Sequence, residues 1–112
     1  QATCVRVPVF NGHSEAVFFR VSKEISREEI IKILDKAPGL KVLDDPSSGD
    51  YPTPFENATD TEDVYVGRIR SQSLDDDCWI SMWIVADNVY GKGAALNAVQ
   101  ICEELLNVSS VK

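Results

Sequence analysis

Two side chains near the start of the sequence are of types that could take part in chemistry. Arg6 lies in an apolar run between Val5 and Val7, and His13, the only histidine, directly follows Gly12. A guanidinium can hold a carboxylate through two parallel hydrogen bonds, and an imidazole can exchange a proton near neutral pH. The pair therefore indicates an anion clamp beside a proton donor or acceptor, which is half of a catalytic site.

Structural explanations also exist for the polar residues. An arginine in a strand fits a solvated face, and a lone histidine in a turn is most often a surface residue. Glu15 could orient His13, although an exposed strand glutamate is the simpler interpretation. Asp87 and Asn88 are interpreted as caps of a turn. No serine or cysteine lies in a nucleophile motif, so the residues alone describe no complete catalytic set.

The three cysteines, Cys4, Cys78 and Cys102, are odd in number and widely spaced. No two of them show metal-ligand or redox spacing, and each lies in an apolar run. We predict reduced, mostly buried thiols in a cytoplasmic protein. The acidic run 75–77 lacks the alternating ligands and central glycine of a calcium loop, so it is expected to be a solvated loop, and no metal site is predicted.

Composition and charge narrow the classes of partner. The chain has 112 residues, enough for one domain, and 44% are hydrophobic and 26% charged, as in globular proteins. The formal charge of −7 repels phosphate backbones and anionic lipids, so neither nucleic acid nor a membrane is expected as a partner. A strand-like pattern begins almost directly after Gln1, which we interpret as the mark of a piece of a longer protein.

The elements that must position Arg6 and His13 follow from the hydrophobic pattern. Residues 3–10 and 15–21 alternate with a period of two and predict two strands, which we expect to form an antiparallel hairpin. Ser26 to Glu29 form a capping box that starts a helix, and Pro38-Gly39 ends it.

The second half of the pattern predicts the remaining sheet. A short strand at 40–43 is followed by a long loop at 45–61 and by a strand at 64–70, in which Gly67 indicates a bulge or close backbone approach. Residues 78–86 are apolar on both faces and predict a central strand covered on both sides. The order of elements predicts an incomplete α+β domain, with a mostly antiparallel mixed sheet and helices on one face.

The last predicted helix, about 94–106, is apolar around most of its circumference. A helix of this kind is buried on several sides, and one small sheet can cover only one of them. We therefore expect it to pack into another domain or a subunit interface.

Four motifs, in order and with matching spacings, resemble those of the aspartate-semialdehyde dehydrogenases. They are Cys4–Val9 with Gly12–Val17, Asp45-Pro46 with Tyr51–Pro54, Val66–Arg70, and Val85–Asn88 with Lys92–Gln100. The resemblance covers nearly the whole chain. It implies that residues 1–90 are the C-terminal part of the catalytic and dimerisation domain. It also implies that residues 91–112 are a C-terminal helix that would pack on an NADP-binding domain absent from this sequence.

The resemblance implies an activity and roles for single residues. The family makes L-aspartate 4-semialdehyde from L-aspartyl 4-phosphate with NADPH, for the synthesis of lysine, methionine and threonine. His13 matches the general acid/base, and Arg6 matches the arginine that binds the substrate carboxylate. Asn97 and Gly93 are expected near the cofactor, and a homodimer or higher homo-oligomer is expected.

Some parts of the family pattern are absent from this sequence or differ. It contains neither the glycine-rich nucleotide turn nor the nucleophile, whose place none of the three cysteines matches, so the isolated chain is expected to be inactive. The segment between Asn88 and Lys92 is one residue longer than the usual pattern. The alternatives are a non-catalytic dimerisation or interaction module derived from this fold, and a related semialdehyde or acyl-phosphate reductase with another substrate.

Overall fold

Seven elements organise residues 2–106, which are the ones that the computed structural model describes. They are β1 His13–Val21, α1 Arg27–Leu34, β2 Leu40–Val42, α2 Pro54–Asn57, β3 Val64–Leu74, β4 Asp77–Ala86 and α3 Ala95–Leu106. The strands form one open sheet in the order β1-β4-β3-β2. The β1–β4 and β3–β4 pairs are antiparallel and the β2–β3 pair is parallel. The predicted α+β class with a mostly antiparallel mixed sheet is confirmed.

Strand β4 lies in the centre of the sheet, as its apolar sequence predicts. On one face Ile80 is buried in a core cluster with Ile30 of α1. On the other face the Trp83 indole donates a hydrogen bond to the Pro52 carbonyl at 3.0 Å. Trp79 on that second face remains 42% exposed. The strand is therefore better covered on the face of Ile80, where Met82 and Ile84 are still half-buried, than on the face of Trp79.

The predicted strand at 3–10 and its hairpin are wrong. Residues 2–12 form no strand, and β1 pairs instead with β4, from His13 opposite Ala86 to Val21 opposite Cys78. Pro8 has no backbone donor for a ladder, and β4 offers β1 a long apolar partner that the short segment before it cannot match.

The capping box at the start of α1 is confirmed. The Ser26 backbone N–H donates to the Glu29 carboxylate at 2.9 Å, and the Glu29 N–H donates to the Ser26 hydroxyl at 3.3 Å. Ile30 is buried against the sheet. The helix ends at Leu34, earlier than the predicted stop at Pro38-Gly39.

The long loop predicted at 45–61 contains a helical turn, α2, which the prediction missed. The Glu56 backbone N–H donates to the Thr53 hydroxyl at 3.2 Å, and Pro54 occupies the first helical position. A threonine N-cap followed by proline is a helix start signal, but four residues are too few to show a hydrophobic period.

The bulge predicted at Gly67 is confirmed by a register shift in the β3–β4 pairing between Gly67 and Arg70. Inside it Arg68 has a positive φ of 52°. The buried Asp44 carboxylate accepts from both backbone N–H groups within the bulge, at 2.8 and 3.0 Å, and pairs with the Arg27 guanidinium at 2.7 Å. One carboxylate thus fixes the bulge and ties α1 to β3.

The acidic run at 75–77 begins with the turn between β3 and β4. Asp75 and Asp76 both have positive φ and are exposed, as in a tight two-residue hairpin turn. Across residues 2–106, no group of three or more His, Cys, Asp and Glu side chains is arranged to hold a metal ion.

The three thiols are free, but the prediction that most are buried is wrong. Cys78 is buried, whereas Cys4 and Cys102 are exposed. Cys4 lies in the segment that forms no strand, and Cys102 lies on α3, none of whose described side chains is buried.

Helix α3 forms close to its predicted bounds, and among the described residues none of its side chains is buried. The large exposed apolar side chains on it are Val99, Ile101, Leu105 and Leu106. The expected packing partner of this helix thus remains a prediction. In the part of the chain described here, no helix combines the length and apolarity needed to cross a membrane.

Candidate active site

The end of β4 is the place where three chain segments meet. Ala86 pairs with His13 of β1 on one side and with Val64 of β3 on the other. The chain leaves the sheet at the next residue, Asp87, and turns toward α3. His13 is therefore held beside this turn.

The Asp87 carboxylate organises the turn from inside. Asp87 is 2% exposed, and one oxygen accepts from the backbone N–H groups of Val89 and Tyr90 at 2.7 and 2.8 Å. The other oxygen accepts from the backbone N–H of Asp60 at 2.9 Å. The cap predicted for Asp87 is confirmed, and it also reaches a second turn that the sequence did not indicate.

Burial and hydrogen bonding act in opposite directions on this carboxylate. Burial alone would raise the pKa of Asp87, but the N–H groups of Tyr90, Val89, Asp60 and Gly91 together lower the pKa below that of an ordinary aspartate. The ionised form is therefore the one that fits the folded protein.

The neighbouring side chain, Asn88, reaches across to β1. Its Oδ1 accepts from the Gly12 backbone N–H at 2.6 Å. Gly12 has a φ of +106°, and a Cβ at this position would lie 2.8 Å from the Ala58 Cβ and 3.3 Å from the Pro54 Cβ. Both the backbone angle and the space require glycine, as expected for the residue that directs the chain into His13.

Gly93 closes the same turn. Its N–H donates to the Asp87 carbonyl at 2.9 Å, and a Cβ on it would lie 2.5 Å from that oxygen and 2.7 Å from the Asn88 Cα. Asn97 lies in the first turn of α3 and is exposed.

The structure brings together some of the predicted site residues but not all. His13 and Gly93 both lie beside the Asp87-Asn88 turn, and the His13 side chain is exposed. Arg6 is exposed on the segment before β1 and, within residues 2–106, forms no hydrogen bond or ion pair. Glu15 is exposed, and among the described residues it forms no hydrogen bond or ion pair with His13.

The contact between Asn88 and Gly12 was not predicted. The two residues are 76 positions apart. The available signal was that glycine precedes the histidine and that two turn-forming residues follow the central strand. Gly12 and Asn88 come close together only when β1 pairs with β4 and not with a neighbouring hairpin strand.

This sheet and its terminal turn belong to a known class. The family model described as the semialdehyde dehydrogenase dimerisation domain matches residues 1–90. The chain therefore belongs to the semialdehyde dehydrogenase dimerisation-domain family.

Named relatives make the comparison more specific. The aspartate-semialdehyde dehydrogenase of Aquifex aeolicus is 50% identical over 105 residues, which cover 94% of this chain and 30% of that protein. The enzyme of the same name from Bacillus subtilis is 45% identical over 111 residues, covering 98% and 31%. This chain spans about three tenths of the length of the curated relatives it matches, in their C-terminal part.

Solved structures give the same result for the fold. The aspartate semialdehyde dehydrogenase II of Vibrio cholerae, complexed with ASA, superposes with a TM-score of 0.81 and 41% identity. The superposition includes 96% of this chain and 31% of the Vibrio cholerae chain. The enzyme from Francisella tularensis gives a TM-score of 0.72 at 29% identity, over 28% of its chain and 90% of this one.

The lowered pKa of Asp87 predicts how folding depends on pH. A carboxyl whose pKa is lower in the folded state contributes stability above its unfolded pKa of about 3.9, and this stability is lost as pH falls through the folded pKa. We expect Asp87→Asn to lower the free energy of unfolding at pH 7 by about 1–3 kcal/mol, because the neutral amide keeps only one acceptor oxygen and turns an NH₂ donor toward at least one of the N–H groups that now bond to the carboxylate. The free energy difference should shrink below about pH 4. Urea unfolding at several pH values measures both effects.

Asp45→Asn is the matched control. Asp45 also accepts from the backbone two residues on, at Ser47, but it is exposed. Its replacement should change the free energy of unfolding much less than the Asp87 change. Equal losses for the two variants would contradict the central role given to Asp87.

Proposed function

We propose that this chain is the C-terminal part of an NADP-dependent aspartate-semialdehyde dehydrogenase. The complete enzyme would convert L-aspartyl 4-phosphate and NADPH to L-aspartate 4-semialdehyde, phosphate and NADP. The observation that carries the proposal is the alignment of nearly the whole chain with the C-terminal part of enzymes of that name, at up to 50% identity. The geometry beside β4 supports it, because the backbone that carries the exposed His13 side chain is held beside a hydrogen-bonded turn.

His13 would act as the general acid/base. Its backbone is held through the β-ladder and through Gly12, while its side chain is exposed. An imidazole nitrogen can take a proton from a thiol nucleophile and return it to the reacting oxygen in a later step. The nucleophile would come from the rest of the enzyme, because Cys78 is buried in the sheet and neither exposed cysteine matches the family position.

Arg6 would bind the substrate's α-carboxylate. Its exposed guanidinium is not engaged by a described carboxylate, so both N–H rows of the fork are available. The reacting end of the substrate would then face His13, because both ends must be held for an aligned proton transfer.

The residues proposed near NADP fit such a group in different ways. The Gly93 N–H is already bonded to the Asp87 carbonyl, so Gly93 would contribute close backbone approach and not a hydrogen bond. The exposed Asn97 amide has both a donor and an acceptor for a polar cofactor edge. When bound, NADP supplies the site that accepts or gives hydride.

The proposal also includes the packing of the domains, the assembly of subunits and the cellular location. Residues 1–90 would belong to the catalytic and dimerisation domain, and residues 91–112 would pack on the NADP-binding domain. The exposed Phe18 and Trp79 lie on one sheet face, which suits a homodimer or higher homo-oligomer. A cytoplasmic location suits the free thiols.

Replacing His13 tests the activity and the role together. In the complete enzyme, meaning a protein that joins this chain to an NADP-binding domain with its nucleophile, His13→Ala should lower kcat by roughly 10²–10⁴-fold. The assay is phosphate-dependent reduction of NADP with aspartate semialdehyde. Glu15→Gln, on the same sheet face, is the control and should retain activity. No activity in the unchanged enzyme would refute the function, and near-normal turnover of His13→Ala would refute the role.

Replacing Arg6 tests the carboxylate clamp. A lysine is a point charge and cannot form two parallel bonds, so Arg6→Lys should raise the KM for aspartate semialdehyde by about 10- to 100-fold and leave the KM for NADP nearly unchanged. Arg20→Lys is the control, since Arg20 pairs with Asp77 on the surface. An unchanged substrate KM in Arg6→Lys would exclude the clamp.

A further inference from the structure

We propose that Asn88 is a positioning residue for His13: its side-chain oxygen fixes the Gly12 backbone and so sets where the imidazole stands. The inference rests on the proposed function, in which His13 is the acid/base. It is carried by the 2.6 Å hydrogen bond from the Gly12 N–H to Asn88 Oδ1, across 76 positions of sequence.

Asn88 is itself held rigidly. The residue before it, Asp87, is buried, and its carboxylate accepts from three backbone N–H groups. The Asp87 carbonyl accepts from the Gly93 N–H at 2.9 Å. The backbone on both sides of the Asn88 side chain is therefore fixed, and the amide oxygen has a defined position toward β1.

Gly12, the donor of this hydrogen bond, has few other contacts that hold its backbone in place. Gly12 has no side chain, and its φ of +106° lies in a region that only glycine visits freely. Among the described residues before it, the backbone–backbone hydrogen bonding outside strands is the single Val9-to-Val7 contact. Going from β1 toward the N-terminus, the Asn88 bond to Gly12 is thus the last contact with the rest of the fold among these hydrogen bonds, and the segment that carries Arg6 follows.

A simple capping role does not explain this contact. An Asx cap satisfies the N–H groups of its own turn, and Asp87 already does so for Val89 and Tyr90. The Asn88 oxygen instead satisfies an N–H directly before the proposed acid/base. Because a displacement of about 1 Å at a reacting group can cost on the order of 10²-fold in rate, this contact bears on turnover.

The test compares two replacements of Asn88 in the complete enzyme. Asn88→Leu keeps the approximate size and removes the acceptor, so kcat should fall by about 10²-fold while the KM values for semialdehyde and NADP change little. Asn88→Asp retains an acceptor oxygen, so its kcat should be at least about tenfold higher than the kcat of Asn88→Leu. Tyr90→Phe removes the bond to Glu62 in the same turn, away from Gly12, and should leave kcat unchanged.

Three results would overturn the proposal. An unchanged kcat in Asn88→Leu would show that the contact does not position His13. A rise confined to the KM for NADP would make Asn88 a cofactor ligand instead. Rapid hydrogen exchange at the Gly12 amide in the folded unchanged protein would show that the bond is absent, and this measurement also decides the matter if Asn88→Leu does not fold. Inactivity of the unchanged enzyme is a separate outcome, which counts against the proposed function alone.

Discussion

The buried carboxylate of Asp87 is the interaction on which the site depends. It is placed where the central strand ends, and its backbone partners lie in two turns that are distant in sequence. Burying an unpaired anion would be costly, so the arrangement is stable only because several N–H dipoles converge on it. With this turn fixed, Asn88 and Gly93 acquire defined positions, and the β-ladder holds the His13 backbone opposite Ala86, at the start of the turn.

Local signals predicted most of the fold correctly. The capping box before α1, the bulge at Gly67 and the apolar central strand were readable because each depends on residues close together in sequence. The predicted pairing of β1 is wrong, because the nearby residues 3–10 show the alternation of a strand although Pro8 has no ladder donor, and no local signal points to the distant β4 as partner. The Asn88–Gly12 contact follows only from that pairing, so it could not be predicted without it. The chemistry of Arg6 and His13 and their match to the family motif are readable in the sequence, and the roles of both residues stay predictions.

The surfaces of the chain agree with a protein that functions with further parts. Helix α3 is apolar around much of its circumference yet buries none of its described side chains, and one sheet face exposes Phe18 and Trp79. The relatives are more than three times as long as the matched segment, which accounts for about 30% of each. The chain thus combines a backbone position fixed at His13 with exposed apolar surfaces of the kind that mark interfaces with other protein parts.

The most direct measurement is phosphate-dependent NADP reduction with aspartate semialdehyde, made with this chain alone and after mixing it with the remaining N-terminal part of the Aquifex aeolicus relative. We expect no activity from either part alone and activity from the complex, because the nucleophile and the acid/base would lie on different parts. Activity from this chain alone would show that the chain has a nucleophile of its own, among its three cysteines, and would refute the split site. A complex that forms but stays inactive would contradict the assignment of the site.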